Sequence, residues 1–102
     1  MEFLTTMITN VPEGTPDAEV DSTKEREAVR ARELAGQGSL LRLWKPPVEP
    51  GEWRTLGLWS ADDEGQLQEL LATMPLHVWM TVEVTPLKPH PNDPGIAGPN
   101  GI

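Results

Sequence analysis

Six segments with regular spacing of hydrophobic residues follow one another along this chain, and their order limits the possible folds. Some segments show the alternation or the β-branched composition of strands, and others have apolar residues at helical spacing. We predict strands at residues 2–10, 39–45, 53–59 and 77–87, and helices at residues 15–36 and 61–73. The order βαββαβ predicts an α+β, ferredoxin-like domain, in which a four-stranded antiparallel sheet carries both helices on one face.

Polar caps and prolines mark the ends of the predicted helices. Thr15 is predicted to cap the first helix and Ser60 the second, while Pro75 stops the second helix. From these boundaries we expect one ferredoxin-like domain over residues 1–87. Residues 88–102 are rich in proline and glycine, so we predict that they form an extended or disordered tail.

Composition limits the function classes that need to be considered. A chain of 102 residues with 37% apolar residues can bury only a modest core, so we expect it to self-associate. The formal net charge of −8 argues against nucleic acid and anionic membranes as partners. Because the chain contains no cysteine, thiolate catalysis is excluded. The sequence shows no metal-ligand spacing and no phosphate-binding glycine loop, so we expect no metal site. With no signal-peptide pattern and no membrane-length apolar run, we expect a cytoplasmic protein.

Two charged residues lie on the helix face that is predicted to be apolar. At 3.6 residues per turn, one arc of about 120° holds Val20, Lys24, Glu27, Ala28, Ala31, Leu34 and Ala35. One interpretation of Lys24 and Glu27 is a surface ion pair that contributes about 0.2–0.5 kcal/mol. The other is a catalytic site, because buried charges are costly unless they are paired or used. In that site Glu27 acts as general base and then acid, and Lys24 stabilises negative charge on the substrate.

Three further side chains are candidates for binding a small ligand. Arg42 lies on a predicted strand and is expected to share a face with Leu40 and Trp44, where it either binds a carboxylate or stacks on a tryptophan. Trp53 begins the third strand beside the proline-rich loop 46–52, and its ring is suited to pack against a ligand. His77, predicted at a strand start, either contacts the ligand or makes local hydrogen bonds. The other tryptophans are predicted in the core or at a subunit interface: Trp44, Trp59 and Trp79.

The chain resembles the muconolactone Δ-isomerase family over residues 1 to about 93. The resemblance rests on Gly38 followed after five residues by Trp44 and a basic residue. It also rests on the block Met74-Pro-Leu, followed after three residues by Met80-Thr-Val-Glu-Val. The pair Lys24 and Glu27, at the same spacing before the glycine, fits the family as well.

This resemblance implies a cofactor-free isomerase of the β-ketoadipate route of aromatic catabolism. Such an enzyme moves a proton, and with it a double bond, in a small unsaturated lactone that carries a carboxylate. The resemblance assigns the proton shuttle to Glu27 and places Lys24 near the substrate carboxylate or the developing enolate. It also implies dimers of the α/β-barrel type assembled into a ring-shaped homo-oligomer, a decamer. Where the family tends to have tyrosine on the third strand, this chain has Trp53, so its substrate range is open to change.

Two other functions fit the same residues. A related dehalogenase or cyclase would use the same proton abstraction on another lactone. A protein that kept the scaffold without catalysis would bind a small ligand or serve in assembly. Replacement of Glu27 by glutamine separates the two enzymes from the third possibility, because only catalysis depends on the proton transfer.

Overall fold

The computed structural model describes residues 1–97, which fold in the predicted order of strands and helices. The sheet consists of β1 (Glu2–Thr9), β2 (Leu40–Trp44), β3 (Arg54–Ser60) and β4 (Met80–Leu87). The helices are α1 (Asp17–Gly36), α2 (Glu64–Ala72) and the short α3 (Pro94–Ala97), with a 3₁₀ turn, η1 (Pro75–Trp79), before β4.

The four strands form one antiparallel sheet in the order β2-β3-β1-β4. Because β1 and β2 are separated by β3, the first helix connects two strands that run in the same direction, as in a split βαβ unit. The predicted ferredoxin-like α+β fold is therefore confirmed, with α1 and α2 packed on the same face of the sheet.

The core lies between that face of the sheet and the two helices. Alternation along β1 buries Phe3, Thr5, Met7 and Thr9, which face Leu34 of α1 and Leu67 and Leu71 of α2. Trp59 of β3 is fully buried, and its indole Nε1 donates a hydrogen bond of 2.9 Å to Thr5 Oγ1. This bond satisfies a polar group that would otherwise be costly in an apolar core.

Gly57 makes room for the Trp59 ring. A Cβ atom at Gly57 would lie 2.7 Å from Trp59 Nε1 and 3.0 Å from the Met7 methyl group. Only glycine therefore leaves space for the indole on this part of the sheet, and the helices can close over it.

A β-bulge changes which side chains of β2 face the helices. The register shifts between Leu40 and Arg42, so that Leu40 pairs with Trp59 on the buried face. Arg42 pairs with Leu58 on the opposite face. The prediction that Leu40 and Arg42 share a face is therefore wrong, because the extra residue of the bulge reverses the alternation.

The second helix starts later than predicted. Ser60 belongs to β3, and the next residue, Ala61, donates its backbone N–H to Met1 O at 2.9 Å. The backbone of Ala61, which the sequence pattern assigned to the helix, is thus hydrogen-bonded to the residue before β1. Asp63, rather than Ser60, caps α2 by accepting a hydrogen bond of 2.8 Å from the Gln66 N–H.

Two other predicted boundaries differ in a similar way. Thr15 does not cap α1, because its Oγ1 donates to Pro12 O at 2.7 Å. His77 lies in η1 and not in a strand, since Pro75 starts a 3₁₀ turn before β4 begins.

The C-terminal segment contains one helical turn where an extended tail was predicted. Asp93 Oδ1 accepts a hydrogen bond of 2.8 Å from the Gly95 N–H, which supports the start of α3. Residues 98–102, the remainder of the predicted tail, lie outside the described residues. Over residues 1–97, no helix combines the length and apolar character required to cross a membrane.

Candidate active site

A cavity of about 280 Å³ lies between α1, η1 and the helix-covered face of the sheet. One wall is formed by α1, which contributes Lys24, Glu27, Ala28 and Ala31. The sheet contributes Met7, Thr9, Thr55 and Met80. Leu43 of β2 and Trp53, just before β3, also line the cavity, and Met74 and Leu76 come from the chain around the start of η1. The lining is mostly apolar, and its volume is close to that of sites for small molecules.

Glu27 is half-buried in this cavity and is tied to the start of η1. Its Oε1 accepts a hydrogen bond of 2.9 Å from the backbone N–H of Leu76. That N–H is one of the donors left unpaired at the beginning of a helical turn, so the carboxylate acts as its partner from another element. Among the described residues, no hydrogen bond is donated to the other oxygen, Oε2. One oxygen is thus held in place, while the other is available to a ligand.

The surroundings of Glu27 favour its protonated form. Burial raises the pKa of the Glu27 carboxyl above its ordinary value of 4.5, because the apolar cavity disfavours the charge. The hydrogen bond from Leu76 and the charge of His77 lower the pKa and oppose this effect. A carboxyl group with a raised pKa is better suited to accept and return a proton than a fully solvated one.

Lys24 lies at the rim of the cavity and contacts an aromatic ring. Its ammonium Nζ is 5.0 Å from the centre of the Trp53 ring, which is the geometry of a cation–π interaction. Lys24 is exposed, whereas Trp53 is half-buried. In the part of the chain that the structure describes, the ion pairs are Arg30–Glu33 and Arg54–Glu52, so Lys24 and Glu27 are not paired. The interpretation of Lys24 and Glu27 as a surface ion pair is therefore wrong.

The inward face of α1 is displaced from the predicted arc. Thr23 is buried although it lies outside that arc, because its hydroxyl donates to Glu19 O at 2.8 Å and needs no water. Lys24, Ala28 and Ala35 are exposed. Glu27 remains on the inward side, since the start of η1 packs against the same part of the helix.

Arg42 and His77, the other predicted site residues, do not line the cavity. The Arg42 guanidinium lies 5.2 Å from the centre of the Trp44 ring, as the stacking interpretation predicts. His77 is half-buried in η1, next to Leu76. A role of either residue in substrate binding stays a prediction.

Several cavity residues were not identified from the sequence. The most important is Leu76, whose contribution to the site is its backbone N–H. The Met74-Pro75 pair offers a signal for it, because proline favours the first position of a helical turn and the next N–H then lacks a partner within the turn. Thr9 and Thr55 add hydroxyl groups to the sheet side of the cavity. Over residues 1–97, no cluster of three or more His, Cys, Asp or Glu side chains is arranged to hold a metal ion.

Comparison with known proteins agrees with the fold. The family model described as muconolactone delta-isomerase matches residues 1–93. The muconolactone Delta-isomerase of Cupriavidus pinatubonensis (strain JMP 134 / LMG 1197) is 32% identical over 92 residues, covering 90% of this chain and 97% of that protein. Muconolactone Delta-isomerase 1 of Acinetobacter lwoffii is 29% identical over 92 residues, covering 90% and 93%.

A solved structure extends the similarity to three dimensions. The crystal structure of a muconolactone isomerase at 3.3 Å resolution superposes with a TM-score of 0.78 at 25% sequence identity. The match covers 89% of this chain and 92% of the solved one. Since the family model spans nearly the whole described chain, these findings place the protein among isomerases: the chain belongs to the muconolactone Δ-isomerase family.

Proposed function

We propose that this protein is a muconolactone Δ-isomerase in which Glu27 carries the proton. The observation that supports this most directly is the half-buried Glu27 carboxylate in an apolar cavity, with one oxygen fixed by the Leu76 N–H. Family membership supplies the substrate class, a small lactone that bears a carboxylate. The activity belongs to the β-ketoadipate route of aromatic catabolism, and a cytoplasmic location accords with it.

The proposed reaction needs only a proton transfer in each direction. Glu27 removes a proton from a carbon of the lactone ring, and the electron pair left behind is delocalised through the adjacent unsaturated lactone as an enolate. The protonated Glu27 then returns the proton to a different carbon of the same system. The double bond has moved, the composition is unchanged, and Glu27 is again ionised. The raised pKa of Glu27 favours the intermediate state, in which the carboxyl group holds the proton and the substrate is an enolate.

Lys24 supplies the positive charge that such a substrate requires. Apart from Glu27, the other residues of the cavity lining are uncharged, so Lys24 is the cation of the lining. In an otherwise acidic protein, this places a local attractive charge at the rim. We assign Lys24 to the substrate carboxylate or the enolate oxygen, where an ammonium group stabilises negative charge.

Replacement of Glu27 by glutamine tests the assignment. Glu27→Gln keeps an oxygen that can accept the Leu76 N–H bond but removes the base, so we expect kcat to fall by roughly 10²- to 10⁴-fold. The ultraviolet absorbance of muconolactone measures turnover, and calorimetric titration measures the affinity that should remain. Glu25→Gln on the exposed side of α1 is the matched control and should retain full activity.

The outcomes separate the candidate functions. Turnover by Glu27→Gln at the wild-type rate would show that Glu27 is not the base. If wild-type protein releases chloride from a chlorinated muconolactone but does not isomerise muconolactone, the protein is a dehalogenase relative. Binding of muconolactone without turnover of either compound would identify a ligand-binding protein.

We also propose that the chain forms dimers that assemble further, with a decamer as the family resemblance implies. Support comes from the sheet face that lies opposite the helices. Leu4, Thr6, Ile8, Leu56 and Leu58 alternate with the core residues and lie on this open face. A second sheet packed against it would bury these side chains.

A further inference from the structure

Lys24 is placed to interact either with Glu27 or with Trp53, and the structure shows the contact with Trp53. Residues three apart on a helix are neighbours, so Lys24 and Glu27 are placed to form an ion pair. The ammonium instead lies 5.0 Å from the centre of the Trp53 ring. Among the ion pairs of residues 1–97, none includes Lys24 or Glu27.

We propose that Trp53 is a positioning residue that holds the Lys24 ammonium at the cavity rim and away from Glu27. The carboxylate is then available as a base, and the ammonium is available to the substrate. This inference rests on the proposed function for its role in catalysis, but the arrangement itself is a property of the protein without substrate.

A backbone hydrogen bond fixes Trp53 next to the cavity. Its carbonyl oxygen accepts a hydrogen bond of 2.9 Å from the Thr9 N–H, which extends the pairing between β1 and β3 by one residue. The ring therefore lies just before β3, at the end of the two central strands, where it lines the cavity together with Lys24. Tryptophan gives the strongest cation–π interaction of the aromatic residues, so it competes best with a carboxylate for an ammonium group.

Among the groups around Glu27, Lys24 is the one whose position can change the pKa of the carboxyl group most directly. From η1, the charge of His77 and the N–H of Leu76 act on the carboxylate. The sheet side of the cavity contributes only uncharged side chains, including Thr9, Thr55 and Leu43. Lys24 on α1 is the remaining charged group in the lining, and its approach would stabilise the ionised form of Glu27 and weaken it as a base.

The pKa of Glu27 is the readout that tests this arrangement without substrate. It is measured in the full chain, labelled with ¹³C at glutamate side chains, from the pH dependence of the Glu27 carboxyl resonance. In Trp53→Leu, the freed ammonium should approach Glu27 and lower its pKa below the wild-type value. Trp53→Phe keeps an aromatic face and should leave the pKa nearer to the wild-type value than Trp53→Leu does.

A double-mutant cycle separates positioning from simple burial. Loss of the indole also admits water, which by itself would lower the pKa of Glu27. Lys24→Met removes the charge, so in that background Trp53→Leu should lower the pKa less than it does with Lys24 present, because only the entry of water then acts. Trp44→Leu, which removes the ring that stacks on Arg42 outside the cavity, should leave the pKa unchanged.

The change in the Glu27 pKa in the two backgrounds tests the positioning role of Trp53. A larger fall in the pKa with Lys24 present than in Lys24→Met supports the positioning role. An equal fall in both backgrounds, or no fall in either, overturns it. If Trp53→Leu does not fold, Trp53→Met, an unbranched apolar replacement, takes its place in the cycle.

Kinetics connect the arrangement to the proposed function. We expect Trp53→Leu to raise KM for muconolactone roughly threefold to tenfold, because the ammonium is no longer held where the substrate carboxylate binds. If the wild-type chain turns over no muconolactone but the pKa cycle holds, the proposed function fails and the positioning role stands. If turnover is normal and the cycle shows no coupling, the positioning role alone fails.

Discussion

Glu27 illustrates how burial of an ionisable side chain carries a cost to stability. The cavity around it is mostly apolar, and the carboxyl group is half-buried there. Burial raises its pKa, while the Leu76 hydrogen bond and the His77 charge only partly compensate. The folded protein therefore binds a proton at Glu27 more tightly than the unfolded chain does, so the ionised form is a destabilising element of the native state at neutral pH.

The pH dependence of stability follows from that direction. Because the folded pKa lies above the unfolded value near 4.5, the contribution of Glu27 to stability is fully present below this value. It is lost as the pH rises through the folded pKa. Glu27→Gln is neutral at every pH, so it should be more stable than the wild type at about pH 7, and the difference should shrink at about pH 4. Urea denaturation at both pH values measures this.

The matched control is Glu25→Gln, since Glu25 is an exposed glutamate on the same helix. Its effect on the urea midpoint should be small at both pH values. A Glu27→Gln chain that is less stable than the wild type at neutral pH would contradict the proposed direction of the pKa shift.

At the level of elements, short hydrogen-bonded junctions decide where helices start. The start of α2 has a reciprocal arrangement, in which Asp63 accepts from the Gln66 N–H and Gln66 Oε1 accepts from the Asp62 N–H. Leu67 and Leu71, on the next turns of this helix, are fully buried against the sheet. The cap therefore stabilises the start of α2, the helix that covers part of the core.

Removal of the α2 cap should lower stability by a measurable amount. Asp63→Ala leaves the Gln66 N–H without its side-chain acceptor, and we expect a loss of about 0.5–2 kcal/mol in the free energy of unfolding. Asp62→Ala removes an equal charge from the neighbouring residue but keeps the backbone N–H that Gln66 uses, so it serves as the control. Chemical denaturation compares the two variants. Equal losses in both would show that charge, and not the cap, stabilises this end.

At the scale of the whole molecule, the sheet has two faces with different partners. One face is covered by α1 and α2, and the other carries half-buried apolar residues that no helix covers. Trp44, with 39% of its surface exposed, lies beside this open face at the β2 edge. An apolar face of this kind is the natural surface for association with a second copy, which is the basis of the proposed dimer.

A charge in the centre of the open face should prevent this association. Leu58 pairs with Leu4 on one side and Arg42 on the other, so Leu58→Lys places a second cation in the middle of the surface. We expect sedimentation velocity to show a larger species for the wild type and a smaller one for Leu58→Lys. Circular dichroism tests whether the variant is folded. The control is Val29→Lys, at an exposed position of α1 away from the open face. A wild-type chain that sediments as a monomer, or a Leu58→Lys chain of wild-type size, would refute the proposed interface.

Hydrophobic periodicity in the sequence was sufficient to determine the order of strands and helices, and hence the antiparallel sheet with helices on one face. It also placed Glu27 on the inward side of α1, because helical spacing depends only on neighbouring residues. Boundaries were less certain where tertiary contacts compete with local preferences. Ser60 belongs to β3 and Ala61 donates its N–H to Met1 O, so α2 starts later than predicted. The bulge in β2 places Leu40 and Arg42 on opposite faces.

The tertiary structure alone decided the partners of the two charged residues on α1. Glu27 accepts a hydrogen bond from Leu76, and Lys24 lies over Trp53. Both partners are distant along the chain, and no local pattern relates them to the helix. The sequence determined that two charges stand near the cavity. The packing of η1 and of the start of β3 against α1 decided that they are held apart, because each charge contacts a different element.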